Sequence, residues 1–161
     1  MPVTLNHSLV NVRDKRRSAR FLAEIIGLPT PPFLLGTIFA VVQVGDTSLD
    51  FIDRDEAIEP QHHAFLVTEP EFDQILARIR DRGLSYWADP ARRQAGEINH
   101  WNDGRGVYFP DPDGHLLEII TRPYGYASHT KIRTGSGLAV QAAFSPARAR
   151  RPAAGRSSPQ A

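Results

Sequence analysis

The chain contains the same arrangement of residues twice, and this repeat limits what it can fold into. His7 lies in an apolar, strand-like segment, and the helical pattern that follows stops 20 residues later at Gly27. His62 begins a second copy of the arrangement, with its glycine 21 residues later. Each copy closes with a strand-like segment that holds one carboxylate among apolar residues, Asp50 in the first and Glu118 in the second. Such a duplication predicts two similar modules that could bring two histidines and two acids to one point.

Helical spacing and strand-like alternation predict the order β-α-β-β in each copy. In the first copy, Asp14 is a suitable N-cap for the helix and Gly27 permits a left-handed exit. In the second copy, Thr68 and Glu71 match a capping box and the helical pattern stops at Gly83. Strands outnumber helices and hairpins join them, so we predict an α+β fold with mostly antiparallel sheets. The predicted strands cover residues 4–12, 38–44, 47–53, 61–67, 106–109 and 115–121, with a short extra strand at 84–87.

The composition is that of a soluble globular protein with one core. Of the 161 residues, 41% are hydrophobic and 23% are charged, as in ordinary soluble domains. No segment approaches the roughly 18 apolar residues of a membrane span, and the N-terminus lacks a secretory leader. The absence of cysteine excludes disulfides, thiolate ligands and a cysteine nucleophile. We therefore expect a cytoplasmic enzyme or binding protein.

Charge divides the chain into an acidic body and a basic tail. Residues 1–127 hold 13 basic and 18 acidic residues, whereas six basic and no acidic residues follow from 128 onward. From residue 142 the tail is rich in Ala, Arg, Pro and Ser, a composition that favours disorder. It lacks interleaved aromatic residues, so nucleic-acid binding is not expected. We predict a folded domain over 1–127 and a basic, disordered tail over 128–161.

The histidines and acids of the repeat are the candidate metal ligands. Imidazole and carboxylate groups together suit Fe(II), Mn(II), Ni(II), Zn(II) or Co(II). Side chains alternate along a strand, so each candidate shares a face with mostly apolar residues, where a bare carboxylate is costly. One divalent metal bound by His7, His62 and Glu118 would satisfy all three groups. Asp50 stays open as a fourth ligand, because an acid in a half-buried strand equally often faces solvent.

Other candidate residues lie beside these four. His63 and His115 would turn inward if the strands shifted by one residue, and otherwise serve as packing or supporting residues. The irregular segment before residue 106 carries groups typical of binding loops. Within it His100 is a candidate general acid or base, although a surface histidine is the simpler alternative. Asn99 and Arg105 are candidate substrate-binding residues, with a solvated arginine as the alternative for Arg105.

Three segments carry a family resemblance: NHSLV at 6–10, HHAF at 62–65 and FPDPDGHLLE at 109–118. They resemble the vicinal oxygen chelate superfamily, which contains glyoxalase I, fosfomycin-modifying enzymes, epimerases, extradiol dioxygenases and bleomycin-binding proteins. The resemblance covers residues 4–122. It implies two βαβββ modules, about 4–56 and 57–122, that form a cup-shaped sheet around a metal. It also implies that His7, His62 and Glu118 are the ligands, and that the protein is a homodimer.

The same resemblance implies a metal-dependent enzyme that chelates two adjacent oxygens of a small substrate. Tyr108 matches a tyrosine that extradiol dioxygenases and fosfomycin transferases place beside the substrate, although it could simply fill the cup. Asp50 falls where glyoxalases and epimerases have a longer Glu or Gln, which leaves open whether it is a fourth ligand. A three-ligand set together with Tyr108 favours dioxygenase-like Fe(II) chemistry, whereas Asp50 as a fourth ligand would favour a glyoxalase- or epimerase-like isomerase or lyase. A metal-free drug- or metabolite-binding protein is the alternative from another class, and such proteins generally lack the ligand set.

Overall fold

The computed structural model describes residues 3–31 and 37–124. The elements are β1 (His7–Val12), α1 (Lys15–Ile26), β2 (Ala40–Val44), β3 (Thr47–Asp53), β4 (His62–Leu66), α2 (Glu69–Asp81), a 3-10 turn (Trp101–Asp103), β5 (Gly106–Pro110) and β6 (Leu116–Ile120). The βαββ order therefore occurs twice, as the sequence predicts. The predicted tail at 128–161 lies outside the described residues.

Both helices begin and end where their sequences predict. The Asp14 carboxylate accepts hydrogen bonds from two backbone N–H groups in the first turn of α1, and Gly27 ends the helix with φ +80°. The capping box at α2 is complete, because Thr68 and Glu71 each accept from the other's backbone N–H. Gly83, with φ +63°, lies just beyond the end of α2. No helix within residues 3–31 and 37–124 is long and apolar enough to cross a lipid bilayer.

The strands form two three-stranded sheets with the same topology. The first sheet has the order β1-β3-β2 and the second β4-β6-β5. The hairpins β2-β3 and β5-β6 are antiparallel, whereas β1-β3 and β4-β6 are parallel. The α+β class is confirmed, but the sheets are mixed rather than mostly antiparallel. The reason is that the first strand of each module pairs with the far arm of its hairpin, and this pairing is parallel.

The extra strand predicted at 84–87 is reduced to one residue. Trp87 exchanges two backbone hydrogen bonds with Tyr108, of 2.9 and 2.8 Å, along the free edge of β5. Asn99 and Gly106 form a second isolated bridge. The irregular segment between α2 and β5 is therefore fastened to the edge of the second sheet.

Both helices and one face of each sheet enclose a single apolar core. Its largest fully buried side chains include Leu22 and Ile25 of α1, Phe72 of α2, Phe109 of β5 and Ile119 of β6. The opposite faces of the two sheets carry the candidate ligands. In each module, one face of the sheet therefore packs in the core and the other face carries the candidate metal ligands.

The turn between β5 and β6 fastens the second module to the first. The Ser18 hydroxyl donates a 2.8 Å hydrogen bond to the Asp113 carboxylate, and the Arg13 backbone N–H donates one of 3.3 Å. The Nε2 of His115 lies 2.9 Å from the Asn11 carbonyl oxygen. These contacts link the start of α1 to the turn that precedes the Glu118 strand.

Candidate metal centre

The strand register places the four candidate ligands at equivalent points of the two sheets. In the first sheet, the residue opposite His7 lies two positions before Asp50. In the second sheet, the residue opposite His62 lies two positions before Glu118. The sequence repeat is therefore a true structural repeat at the level of individual residues.

In the second sheet the histidine and the acid form a close pair. The Nε2 of His62 lies 3.2 Å from Oε2 of Glu118, whose side chain is only 1% exposed. The Nδ1 of His62 lies 3.0 Å from the Leu116 carbonyl oxygen. A carbonyl can only accept, so Nδ1 must carry a proton. In a neutral ring, Nε2 would then direct its lone pair at the carboxylate.

Two acceptors facing each other require a positive charge between them. A proton can supply it: the hydrogen bond to Glu118 raises the pKa of His62, against the opposing effect of burial and with the help of the Leu116 carbonyl. A divalent ion can also supply it, because adjacent ligand atoms at about 2.1 Å from one ion lie roughly 3 Å apart. The donor set and its spacing therefore fit two ligands of one metal.

Aromatic side chains surround the pair. The Tyr124 hydroxyl donates a 2.7 Å hydrogen bond to Oε1 of Glu118, and Tyr108 lies opposite Glu118 on β5. The Tyr108 ring stacks 6.0 Å from the His62 ring, and Trp101 lies 6.4 and 6.3 Å from the two tyrosine rings. Burial, followed by the Glu118 carboxylate, raises the pKa of Tyr108. Its phenol therefore stays protonated and can donate a hydrogen bond.

The sequence did not single out Tyr124 or assign a role to Trp101. Tyr124 follows the last strand in an irregular segment with no periodicity, and its position depends on how the chain turns back. Trp101 lies in the predicted loop, and an indole among polar residues is the sequence feature that could have indicated a role for it. Next to it, Asn102 and Asp103 have φ values of +55° and +57°, in the left-handed region that Asn and Asp adopt more readily than other residues except glycine.

His7 and Asp50 do not join the pair within one chain. His7 is exposed, and its Nδ1 lies 2.9 Å from the Asn6 side-chain oxygen. The Asp50 carboxylate accepts a 2.8 Å hydrogen bond from the Ser48 hydroxyl. Among the residues described, no three His, Asp or Glu side chains are close enough to hold a metal. The predicted site of His7, His62 and Glu118 therefore stays a prediction.

The loop candidates have different surroundings. Asn99 is buried, and its amide donates to the Ala88 carbonyl and accepts from the Trp101 backbone N–H, at 2.8 and 3.3 Å. These contacts hold the loop in shape. His100 is exposed and precedes the 3-10 turn without capping it. Roles for Asn99 in substrate binding and for His100 in proton transfer stay predictions.

Arg105 points toward α2. Its guanidinium donates 2.6 Å hydrogen bonds to the carboxylates of Glu69 and Asp73, and lies 4.4 Å from the centre of the Phe72 ring. The sequence predicts a substrate-binding arginine, but these contacts tie the start of β5 to the first turns of the helix. Glu69 lies in the first turn of α2, where acids are common, and Asp73 lies one turn further along the helix.

The two alternative histidines support the site from the core side. His115 is buried, and its Nδ1 accepts a 2.9 Å hydrogen bond from the Gln61 backbone N–H, next to His62. Burial, with smaller effects of His115 and His62, lowers the pKa of His63 to about 4, so this ring is neutral. Its Nε2 is buried without a hydrogen-bond partner among the described residues. It lines a cavity of about 10 Å³ together with His115 and Asp111.

Residues 4–119 match the family model of the Glyoxalase/Bleomycin resistance protein/Dioxygenase superfamily. The chain belongs to this superfamily. The resemblance seen in the sequence is thus confirmed. Among its curated relatives, Glutathione transferase FosA from Serratia marcescens is 28% identical over 123 residues, which are 72% of this chain and 79% of that protein. Metallothiol transferase FosB from Shouchella clausii is 30% identical over 73% of this chain and 79% of that protein.

Solved structures of the superfamily include a much more similar protein. Oxidase ChaP-H1 is 56% identical, with a TM-score of 0.74, over 77% of this chain and 99% of that chain. The fosfomycin resistance protein FosX from Mesorhizobium loti is 23% identical, with a TM-score of 0.56 over 77% and 96%, and shows the shared fold. The relatives named here thus include transferases and an oxidase.

Proposed function

We propose that this chain is a cytoplasmic, metal-dependent oxidase whose small substrate binds through two adjacent oxygen atoms. The observation that carries the proposal is the His62–Glu118 pair, in which the carboxylate is buried and the facing acceptor atoms need a cation or a proton between them. The 56% identical structure named an oxidase favours oxidation over the other reactions of the superfamily. We propose Fe(II) as the metal and dioxygen as the oxidant, because two histidines and one carboxylate are typical of such sites.

We further propose that the third ligand, His7, comes from a second copy of the chain. The first-sheet face that carries His7 exposes apolar side chains, with Leu9 46% and Val41 43% exposed. Beside His62, Leu66 is 62% exposed on the second sheet. Contiguous exposed apolar surface is typical of interaction sites, and a two-fold dimer would cover both faces at once. Such a homodimer would have two equivalent metal sites.

In this proposal each residue around the metal has a distinct task. His62, Glu118 and the second copy's His7 would hold the ion, which supplies Lewis-acid and redox chemistry to bound oxygens. Tyr108 keeps its proton and can donate a hydrogen bond to a substrate oxygen. Trp101 and Tyr124 line one side of the pair. Asp50 is left out of this set because its side chain is one methylene shorter than that of Glu118 at the equivalent position and is hydrogen-bonded to Ser48 on its own strand.

Elemental analysis of protein purified without chelators tests the metal. We expect about one iron per chain in the wild type, and loss of most of it in His7→Ala, His62→Ala and Glu118→Ala. An oxygen electrode would then show uptake with small substrates that carry two adjacent oxygens. A wild-type protein that binds no divalent metal would overturn the proposal, and zinc or nickel in place of iron would overturn its oxidase part.

Mixed dimers test whether the site is shared. A hybrid of His7→Ala and Glu118→Ala copies has one intact site, because the intact His7 and the intact Glu118 meet at the same position. Equal mixing should therefore restore metal to about a quarter of the sites, although each variant alone is inactive. A mixture that binds no more metal than its two components would show that the ligands come from one chain.

Thiol transfer is the second candidate function, because FosA and FosB are named transferases. The same metal-loaded protein can be incubated with fosfomycin and glutathione and examined by mass spectrometry. Formation of a thiol adduct would favour a transferase. Oxygen uptake without added thiol would favour the oxidase, which the higher identity to ChaP-H1 supports.

A further inference from the structure

We propose that Tyr124 keeps Glu118 a one-oxygen metal ligand and so leaves a coordination position free for substrate. This inference rests on the proposed metal site and adds a positioning residue to it. It concerns the way in which the carboxylate binds, which the ligand set alone does not determine.

The two oxygens of Glu118 have separate partners. Oε2 faces Nε2 of His62 at 3.2 Å, whereas Oε1 accepts a hydrogen bond from the Tyr124 hydroxyl at 2.7 Å. The side chain is 1% exposed, so water does not compete for either oxygen. A hydroxyl that donates to a buried carboxylate at this distance makes a strong, charge-assisted bond. Oε1 is thereby held away from the position that faces His62.

The Tyr124 ring is held in place by its neighbours. It lies 6.3 Å from the Trp101 ring at an angle of 48°, and Trp101 in turn lies 6.4 Å from Tyr108. The hydroxyl also interacts with Tyr108 and with the buried amide of Asn99. Tyr124 is 39% exposed, but the hydrogen bond to Glu118 is part of a network of contacts that holds its ring and hydroxyl.

A carboxylate can bind a metal through one oxygen or through both. If Oε1 were free, it could bind the same ion as Oε2 and occupy one of the positions that a chelating substrate needs. The Tyr124 hydrogen bond removes this option without adding a charge. Loss of the hydroxyl should therefore raise the coordination number of the ion before it weakens metal binding.

Cobalt substitution tests this directly, because visible absorption of Co(II) becomes weaker as its coordination number rises. The variant is Tyr124→Phe, which keeps the ring and its packing. Tyr86→Phe is the matched control, because it removes the same hydroxyl from a tyrosine whose described hydrogen bond is to Arg80, away from the site. Circular dichroism would confirm that both variants are folded.

We expect weaker visible absorption for Co(II)-loaded Tyr124→Phe, with cobalt affinity within ~10-fold of the wild type. Tyr86→Phe should overlay on the wild type. A Tyr124→Phe spectrum identical to the wild type would overturn this inference and leave the metal site standing. A wild-type protein that binds no Co(II) would instead overturn the proposed function itself.

Discussion

In both sheets a histidine and an acid occupy the same register positions. Their side chains form a close pair in the second sheet but not in the first. Opposite His7 lies Ser48, whose hydroxyl binds Asp50. The equivalent residue in the second sheet is Leu116, which has no side-chain donor. Glu118 is also one methylene longer than Asp50, so it reaches His62. Because the strand register is the same in both sheets, the difference between the two pairs lies in the neighbouring side chain and in the length of the acid.

The sheets also differ in what covers these groups. Tyr108, opposite Glu118, is buried beneath Trp101, whereas Val41 at the equivalent position of the first sheet is 43% exposed. One module therefore encloses its acid with its own side chains. The other leaves an apolar face uncovered, as expected of a surface that a second chain covers.

Exchange of the acids for amides should produce the largest difference between the sheets. Glu118→Gln removes the charge that faces His62, and we expect metal affinity to fall more than ~100-fold. Asp50→Asn should change affinity by less than ~10-fold, because Asp50 is hydrogen-bonded to Ser48 and does not bind the ion. Titration with Co(II) or Fe(II) measures both. Equal losses in the two variants would show that the sheets contribute alike and that Asp50 is a fourth ligand.

A charge on the exposed apolar face of the first sheet should separate the two copies of the proposed dimer. We expect Leu9→Lys to shift the protein from dimer to monomer and to weaken metal binding ~10- to 100-fold, although every proposed ligand remains. Ala91→Lys, an exposed residue of the loop after α2, is the control. Sedimentation velocity gives the oligomeric state and a metal titration the affinity. A monomeric wild type, or a Leu9→Lys dimer with full affinity, would contradict the shared site.

The pH dependence of stability should show opposite effects of two adjacent histidines in metal-free protein. The pKa of His62 is raised, so its pair with Glu118 stabilises the fold fully below about pH 6.5 and loses this effect as pH rises through the folded pKa. The pKa of His63 is lowered to about 4, so its contribution is present above about pH 6.5 and is lost as pH falls toward 4.

Urea unfolding across this range, with chelator present, measures both effects. Glu118→Gln should abolish the decline in stability above pH 6.5, and His63→Leu should reduce the decline on the acid side. If Glu118→Gln keeps the wild-type profile above pH 6.5, the His62–Glu118 hydrogen bond does not form in the metal-free protein.

The smallest expected effect is on stability, from a change at Arg105, whose side chain joins the second sheet to α2. Arg105→Gln breaks hydrogen bonds to Glu69 and Asp73, which are exposed, so we expect Tm to fall by less than ~5 °C. Metal affinity should not change, because the guanidinium points away from the pair. Arg17→Gln, an exposed residue of α1, removes the same charge as a control. A loss of substrate binding with unchanged Tm would restore Arg105 to the substrate-binding role that its position in the sequence predicts.

Local rules were sufficient to predict most of the fold. The caps at Asp14 and Thr68 and the glycines at 27 and 83 act within one turn, so the helix ends follow from adjacent residues. The mixed character of the sheets was not predictable in this way, because the pairing of β1 with β3 joins segments about 40 residues apart. A hairpin can be recognised from its turn, but a parallel partner has no local signal.

The site was predictable in part for the same reason. His62 and Glu118 stand in adjacent strands, and the repeat identified both. Arg105 and Asn99 were assigned to the substrate from their residue types, but their partners on α2 and in the loop depend on tertiary contacts. Alternation along β1 correctly places His7 and Leu9 on one face. It cannot tell whether that face meets the same chain, a second chain or water.

Tyr124 has a practical consequence for where this domain is considered to end. The family match stops at residue 119 and the last strand at Ile120, so a boundary drawn from either would exclude the hydroxyl that binds Glu118. A protein truncated after residue 122 would keep every strand, both helices and all proposed ligands. It would nevertheless lose one contact to its central carboxylate, and a short irregular segment is therefore as much a part of this domain as its sheets.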